Sequence, residues 1–378
     1  MVLDIARFIV IDNHAHSLLR GHMNLDEIGF RRCFTESRSL SIMEEHMPHS
    51  SHYMELLDHL ERIFNTRTEQ DFLNFRTKQQ PTEFVRMLWD DVSIGACIID
   101  DGYSVNDNLT INELADISAR PIYLCRRIET VIEECLCGDW SFDELCEQFS
   151  KRLLQPSAQK LVALKTICGY RGGLSITNPT SSEAATDYNR HKKEHAQSRV
   201  RIERSPLYHY LLRRAFEIAG QNELPVQVHC GLGDDDADLL QCNPALMQNI
   251  FRAKEFARTK FVMLHCFPFV REAAIMSALY PNVFMDLSLA VSLASPASGT
   301  IIAEALAIAP ATKLLAGSDG HSCAEAHWYG MLCWKKGLTR ALFDMINHAS
   351  ITPREAEQIA GFILHDNAIK LYQLDGLA

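Results

Sequence analysis

The chain has 378 residues, a formal net charge of -11, 47% hydrophobic residues and 22% charged residues. That length exceeds what one small core needs and suits a large barrel with insertions, since an eight-unit barrel alone takes about 250 residues. The negative balance excludes the basic face that nucleic-acid binding requires, and no apolar run approaches the ~20 residues needed to span a bilayer.

In chain order, eight short apolar or β-branched runs stand out: Phe8–Asp12, Ser93–Ile99, Pro121–Arg126, Leu161–Thr166, Pro225–His229, Lys260–His265, Asn282–Leu287 and Lys313–Ser318. Stretches with helical spacing separate most of them, such as Leu207–Ala219 and Pro244–Ala257. Strands alternating with helices make βα units and a parallel sheet. Eight of them predict an α/β chain folded as a (β/α)8 TIM barrel, a single domain over residues 1–378. A dinucleotide-binding sheet is disfavoured: Gly231-Leu232-Gly233-Asp234-Asp235-Asp236 lacks the third glycine of the phosphate fingerprint, and its acids would repel a pyrophosphate.

The connection after the first run, about residues 18–91, is far longer than a βα crossover. It carries helical runs at Tyr53–Phe64 and Pro81–Trp89. A helical insertion capping the carboxyl end of the barrel is expected. The second long connection, Gly172 to Arg204, reads as polar and turn-rich, then charged, and is expected over the same face. The tail, Pro353 to Tyr372, reads as helices packed on the outside.

Residues with metal-ligand chemistry end four of the runs. His14 and His16 follow the first, two apart, and a strand turns alternate side chains to one face. His229 closes the fifth run, His265 the sixth, and Asp319 follows the eighth. Imidazoles and a carboxylate suit a divalent metal, one or two ions, with zinc first and manganese or iron as alternatives. Such an ion lowers the pKa of bound water toward neutrality, so that hydroxide serves as nucleophile. Asp319 could hold the metal and also take a proton, although an aspartate there could instead cap a helix. Lys165 ends the fourth run. A lysine inside a barrel is costly unless paired or shifted. It reads as a carbamylated bridge between two metals, as a substrate contact, or as half of an ion pair. Asp12 should share the face of His14 and His16 but lie deeper, as a polar partner. Cys230 and Cys266 should turn to the opposite face and pack.

Arg171, with Tyr170 beside it, is the candidate for a substrate carboxylate, which a guanidinium grips in bidentate fashion; a structural arginine is the alternative. His321 could face the pocket, two residues past Asp319. Asp234 could order its loop, or belong to a solvated acidic turn. His191-Lys192-Lys193-Glu194-His195 matches the H-x-x-E-H zinc-peptidase pattern, but the surrounding stretch has no apolar stripe that would bury it. His46, His49 and His52, spaced by threes, form a candidate helical metal patch or a pocket rim.

The order Asp12-x-His14-x-His16, Lys165, His229, His265, Asp319 resembles the amidohydrolase superfamily. It looks closest to the amidohydrolase-related (amidohydrolase 2) group, which includes amidohydrolase domains fused to glutamine-synthetase-like proteins. Tyr170-Arg171, the Gly231-x-Gly233-Asp234 turn and the ending Asn367-Ala368-x-x-Leu371-Tyr372 resemble that group as well. The resemblance implies that His14, His16 and Asp319 hold a first metal. Lys165, if carbamylated, would bridge to a second held by His229 and His265. In single-metal members one of the later histidines is a catalytic acid or base, and His265 would be that residue in a decarboxylase.

The expected function is metal-dependent hydrolysis of an amide-type C–N bond by metal-activated hydroxide, with Asp319 and His265 as catalytic groups. The substrate would be a small molecule, one that can carry a carboxylate. The alternatives are a single-metal decarboxylase and a non-catalytic metal-binding homologue. Neither nucleic acid nor membrane is expected as a partner, and a homo-oligomer is compatible with the chain. Twelve scattered cysteines without a CxxC pair, several inside strands (Cys97, Cys125, Cys168), read as small buried hydrophobes. With no signal-peptide pattern at the start, they point to a reduced, cytoplasmic location.

Overall fold

In the computed structural model the described residues are 4–103, 106–194 and 201–374. Eight strands form one parallel sheet in sequential order: β1 Val10–Ala15, β2 Ile94–Asp100, β3 Ile122–Arg127, β4 Leu161–Thr166, β5 Val226–Cys230, β6 Phe261–His265, β7 Val283–Asp286 and β8 Leu314–Leu315. The sheet curls into a nearly closed barrel. Its last seam is joined just past β8, where Asn13 N donates to Ala316 O (2.9 Å), Asp319 N to His14 O (2.9 Å) and His16 N to Gly320 O (2.8 Å).

Two faces follow from strand alternation. Ile11, Ala96, Ile98, Cys125, Ala163, Val262, Leu264 and Leu315 fill the inside. Val10, Cys97, Ile99, Val226 and Val228 pack outward in the larger core. Each fully buried aliphatic side chain of this kind contributes roughly 1.5–3 kcal/mol.

The tail departs from expectation. Leu371, Tyr372 and Leu374 join the inner cluster. The Tyr372 hydroxyl donates to Asn13 Oδ1 (2.5 Å) and accepts from Gln227 Nε2 (3.0 Å). The final helix, Asn367–Tyr372, therefore fills the barrel interior beneath the site rather than lying only on its outside. Buried Asn13 and Gln227 need partners there, and the phenol supplies them.

The connection between β1 and β2 carries helices α1 Glu27–Arg32, α2 Ser51–Phe64, α3 Glu69–Arg76 and α4 Pro81–Asp91. Phe30, Phe34, Tyr53 and Phe72 pack ring against ring within it. The connection from Gly172 to Arg204 contains a helix, Ser181–Glu194, where turns were expected. Thr180 and Glu183 explain it: Thr180 N donates to Glu183 Oε2 (2.7 Å) and Glu183 N to Thr180 Oγ1 (3.3 Å), a reciprocal cap that starts a helix even in a polar stretch. His191 lies on that helix, and His195 lies outside the described residues. Among the described residues, His46, His49 and His52 form no cluster of ligand atoms.

One ion pair fastens the insertion to the barrel. Arg76 of α3 donates through Nε (2.6 Å) and Nη2 (3.0 Å) to the carboxylate of Glu325, on the helix Ala324–Asn347, and both side chains are wholly buried. Arg76 Nη1 also donates to His22 O (2.5 Å). A buried pair is expensive to half-remove, because the surviving charge stays desolvated. Glu325→Gln should therefore destabilise the protein by about 3–5 kcal/mol. Replacing both partners by apolar residues should recover most of that loss, as read by urea denaturation of the single and double variants.

Candidate metal centre and cleft

At the carboxyl end of the barrel the ligand-type residues converge. Asp319 Oδ1 lies 3.1 Å from His14 Nε2 and 3.3 Å from His16 Nε2. One atom each from His14, His16 and Asp319 falls within a 4.8 Å sphere of mutual distances. Lys165 Nζ stands 2.7 Å from His14 Nε2. The ring of His265 lies 4.6 Å from that of His229 and 5.7 Å from that of His14, between centroids. All five basic residues are at least nine-tenths buried.

Simple alternation does not produce this arrangement. The β1–β2 register shifts between Asp12 and Ala15. Ile11 and Asn13 face the interior, and the irregularity then swings His14 inward. Asp12 consequently does not share the face of His14, as alternation implied. Its carboxylate turns outward, grouping with Cys97 and with His327 of the helix Ala324–Asn347. On β6, Leu264 is the inward residue. His265 reaches the site because its backbone is left-handed (φ 65°), as is that of Asp319 (φ 54°). Such conformations cost about 1–3 kcal/mol each in a non-glycine residue and persist only where surroundings impose them.

Two buried carboxylates impose them. Asp12 accepts from Ser318 N (2.9 Å) and Ser318 Oγ (2.5 Å), which fixes the turn that presents Asp319. Asp286 accepts from His265 N (2.7 Å) and from Asn13 Nδ2 (2.7 Å), which holds the ends of β6 and β1 together. Burial pushes both carboxyls up to about 7, against these hydrogen bonds. Gly317 is required between them, since a Cβ there would stand 2.9 Å from Asp286 Oδ2.

Burial also sets the charge states of the centre. It pushes His14 down to about 3 and His265 down to about 4, and lowers His229 well below the ordinary imidazole value. Burial works to raise Asp319, but His265, His14 and His16 hold it well below the usual carboxylate range. Neutral imidazoles beside an ionised carboxylate are the forms that bind divalent metals. His14 Nδ1, His16 Nδ1, His229 Nε2, His265 Nε2 and Asp319 Oδ1 are buried without a hydrogen-bond partner. Orphaned donors and acceptors at this density are rare, and the donor set fits a divalent ion.

Asp100, at the end of β2, was not singled out in the sequence. It lies 3.3 Å from Lys165 Nζ, 3.9 Å from His16 Nδ1 and 2.5 Å from Arg127 Nη2. Burial opposes its ionisation, but Arg127, Lys165 and His16 hold it well below the usual range. Its signal was a carboxylate closing an apolar strand, the same signal that marked Asp319; the strand simply runs one residue past Ile99.

Above the centre opens a cleft of about 600 Å³, lined among others by Arg32, Glu36, Arg38, Tyr103, Tyr170 and Arg171. Tyr170 lies against His229 (4.3 Å) and Tyr103 against His16 (4.7 Å) and His321 (5.5 Å). Arg171 reaches the cleft but is half committed: its Nη2 pairs with Glu133 (3.0 Å), while its Nε has no partner. Asp234 receives Arg38 of the insertion at 2.6 Å at the exposed rim of the cleft. Glu36, also from the insertion, is pushed up to about 8 by burial and then by Asp319 and Asp234. No motif in the sequence pointed to Glu36 or Tyr103.

Residues 178–374, more than half of the chain, match the amidohydrolase family (Amidohydro_2). The chain belongs to that family. Protein fluG of Emericella nidulans is 31% identical over 251 residues, which are 62% of this chain and 29% of that protein, so the chain spans less than a third of the relative it matches. Among solved structures, a Lactobacillus casei protein described as a metal-dependent hydrolase superposes with a TM-score of 0.86 at 23% identity, covering 98% of this chain and 96% of the other. The uronate isomerase of Thermotoga maritima superposes with a TM-score of 0.69 at 14% identity, covering 98% and 95%. These are likenesses of fold, and they span different chemistries. Among the described residues no helix is long and apolar enough to cross a membrane.

If Asp12 holds the turn that presents Asp319, Asp12→Asn should weaken zinc binding 10–100-fold, the usual effect of removing a ligand's supporting partner. Far-ultraviolet circular dichroism should stay unchanged. Zinc affinity equal to that of the parent would show that the turn holds itself.

Proposed function

We propose that the protein is a metal-dependent amidohydrolase that cleaves an amide-type C–N bond of a small, carboxylate-bearing substrate. The observation that carries this reading is the convergence of His14 Nε2, His16 Nε2 and Asp319 Oδ1 at the floor of an arginine-lined cleft. His14, His16 and Asp319 would hold one ion; Lys165 as a carbamate, with His229 and His265, would hold a second. Zinc is the first choice for this nitrogen and oxygen set, with manganese or iron as alternatives. A bound divalent ion supplies Lewis acidity toward a carbonyl group.

The chain's own residues do the rest. Asp319 turns Oδ1 toward His14 and His16, and Oδ2, 3.8 Å from His265 Nδ1, is the oxygen left to take a proton from the attacking water and hand it to the departing nitrogen. In a form that holds one ion, His265 Nε2 is not a ligand and is a second buried position able to carry a proton. Arg171, through its free Nε, and Arg32 on the rim suit a carboxylate, with Tyr170 and His321 as walls. Free thiols throughout fit a reducing, cytoplasmic setting.

A one-metal decarboxylase is the second reading. It is favoured by the 3.3 Å approach of Lys165 Nζ to Asp100, a pairing that suits an ammonium rather than a carbamate.

Metal analysis of the purified chain together with its intact mass separates the two. Two ions and a CO2 adduct on Lys165 support the hydrolase, one ion and a bare amine support the decarboxylase, and no ion after reconstitution overturns both. On an identified substrate, Asp319→Asn should keep the fold and lose at least about 100-fold in rate. Full activity in that variant would remove Asp319 from the proton path.

A further inference from the structure

The β7 turn holds a hydrogen-bond chain that ends on His265. Ser288 Oγ lies 2.9 Å from His265 Nδ1 and 2.8 Å from Asp286 Oδ1, all within the buried core. A hydroxyl has one proton to give, so the direction of the chain depends on which neighbour needs it.

Asp286 settles the direction. Its Oδ1 already receives His265 N (2.7 Å) and Ser288 N (3.2 Å), and its Oδ2 receives Asn13 Nδ2 (2.7 Å). The Asn13 amide cannot be turned round, because its Oδ1 accepts the Tyr372 hydroxyl at 2.5 Å. Donors therefore meet both carboxylate oxygens, and the ionised Asp286 acts as an acceptor. The Ser288 proton goes to Asp286, and Ser288 Oγ is left to accept from His265 Nδ1–H. A neutral imidazole with its proton on Nδ1 carries a bare lone pair on Nε2. His265 Nε2 is the ring atom that is buried without a partner, beside the ring of His229.

We propose that Asp286 and Ser288 are positioning residues that fix His265 as its Nδ1–H tautomer and so present an Nε2 lone pair to the metal centre. The tautomer stands on the hydrogen-bond geometry alone; the use of Nε2 toward a metal or a proton rests on the function proposed above. Carboxylate partners of this kind commonly orient ligand histidines. Here the orientation passes through a serine hydroxyl, and the same carboxylate also holds the left-handed backbone of His265, so one group sets both the direction of the ring and its protonated nitrogen.

The test is a long-range proton–nitrogen correlation spectrum of the metal-free full chain labelled with 15N-histidine, at mildly alkaline pH, where Asp286 is ionised, with His265 assigned by His265→Gln. The expected result is an Nδ1–H tautomer in the parent and in Ser288→Thr, and a shift toward Nε2–H in Ser288→Ala. In zinc titration calorimetry, Ser288→Ala should bind zinc 10–100-fold more weakly than the parent, and Ser288→Thr should recover most of the loss. An Nε2–H tautomer in the parent overturns the proposal without recourse to any variant. So does a Ser288→Ala protein with the parent's spectrum and zinc affinity. A parent that shows Nδ1–H yet binds no zinc would leave the tautomer assignment standing and remove the metal reading of the site.

Discussion

At the carboxyl ends of β6 and β8 the chain leaves the barrel through left-handed backbone at His265 and Asp319, and that geometry brings both side chains over the barrel mouth. A strand offers one inward position in two, and on β6 Leu264 has already taken it. Turning His265 inward therefore requires a conformation that a lone histidine would abandon. Asp286 prevents this by accepting the His265 backbone N–H, and Asp12 does the same work for the Ser318–Asp319 turn. Each is a carboxylate placed where burial disfavours charge. Each keeps its place because several donors converge on it, and removing any donor would leave the rest of the network undersatisfied. Fold stability is spent here on holding a few atoms in fixed positions, which is what a metal centre needs before metal arrives.

Much of this was legible in the sequence for a plain reason. Eight apolar runs with ligand-type residues at their ends are a one-dimensional record of strands whose tips share one face of a barrel. His14, His16, Lys165, His229, His265 and Asp319 were found that way, and the structure brings them together. The inward direction of His14 and His265 was legible only by accident. Alternation was given as the reason that His14 and His16 share a face, whereas a register shift turns His14 in and a positive φ turns His265 in. Asp12 fell to the wrong face for the same cause. Asp100 escaped because a boundary was drawn one residue short, and Glu36 because nothing local marks a loop residue that reaches the cleft from the insertion. The inward Tyr372 is a tertiary fact of the same kind: its partners, Asn13 and Gln227, are more than a hundred residues away in sequence.

The insertion between β1 and β2 is tied to the barrel at two levels. Deep in the protein, Arg76 is locked to Glu325 at the start of the helix that follows the Asp319 turn. At the surface, Arg38 is held by Asp234 on the loop that follows His229. The first tie is dry and hydrogen-bonded on both sides, so breaking it costs global stability. The second is exposed and worth little by itself. Thr35 and Glu36, which line the cleft, come just before Arg38 and so lie by the lighter of the two ties.

The same difference divides the charges that line the cleft. The chain carries a net charge of -11, yet its cleft presents Arg32, Arg38, Arg127, Arg171, Arg201 and Lys165. Most of that positive charge is already answered: Arg127 by Asp100, Arg171 by Glu133, Arg38 by Asp234, and Arg201 by Asp236. Buried pairs such as Arg127–Asp100 cannot exchange partners without stranding a charge. The rim pairs can, because water screens both sides of the exchange.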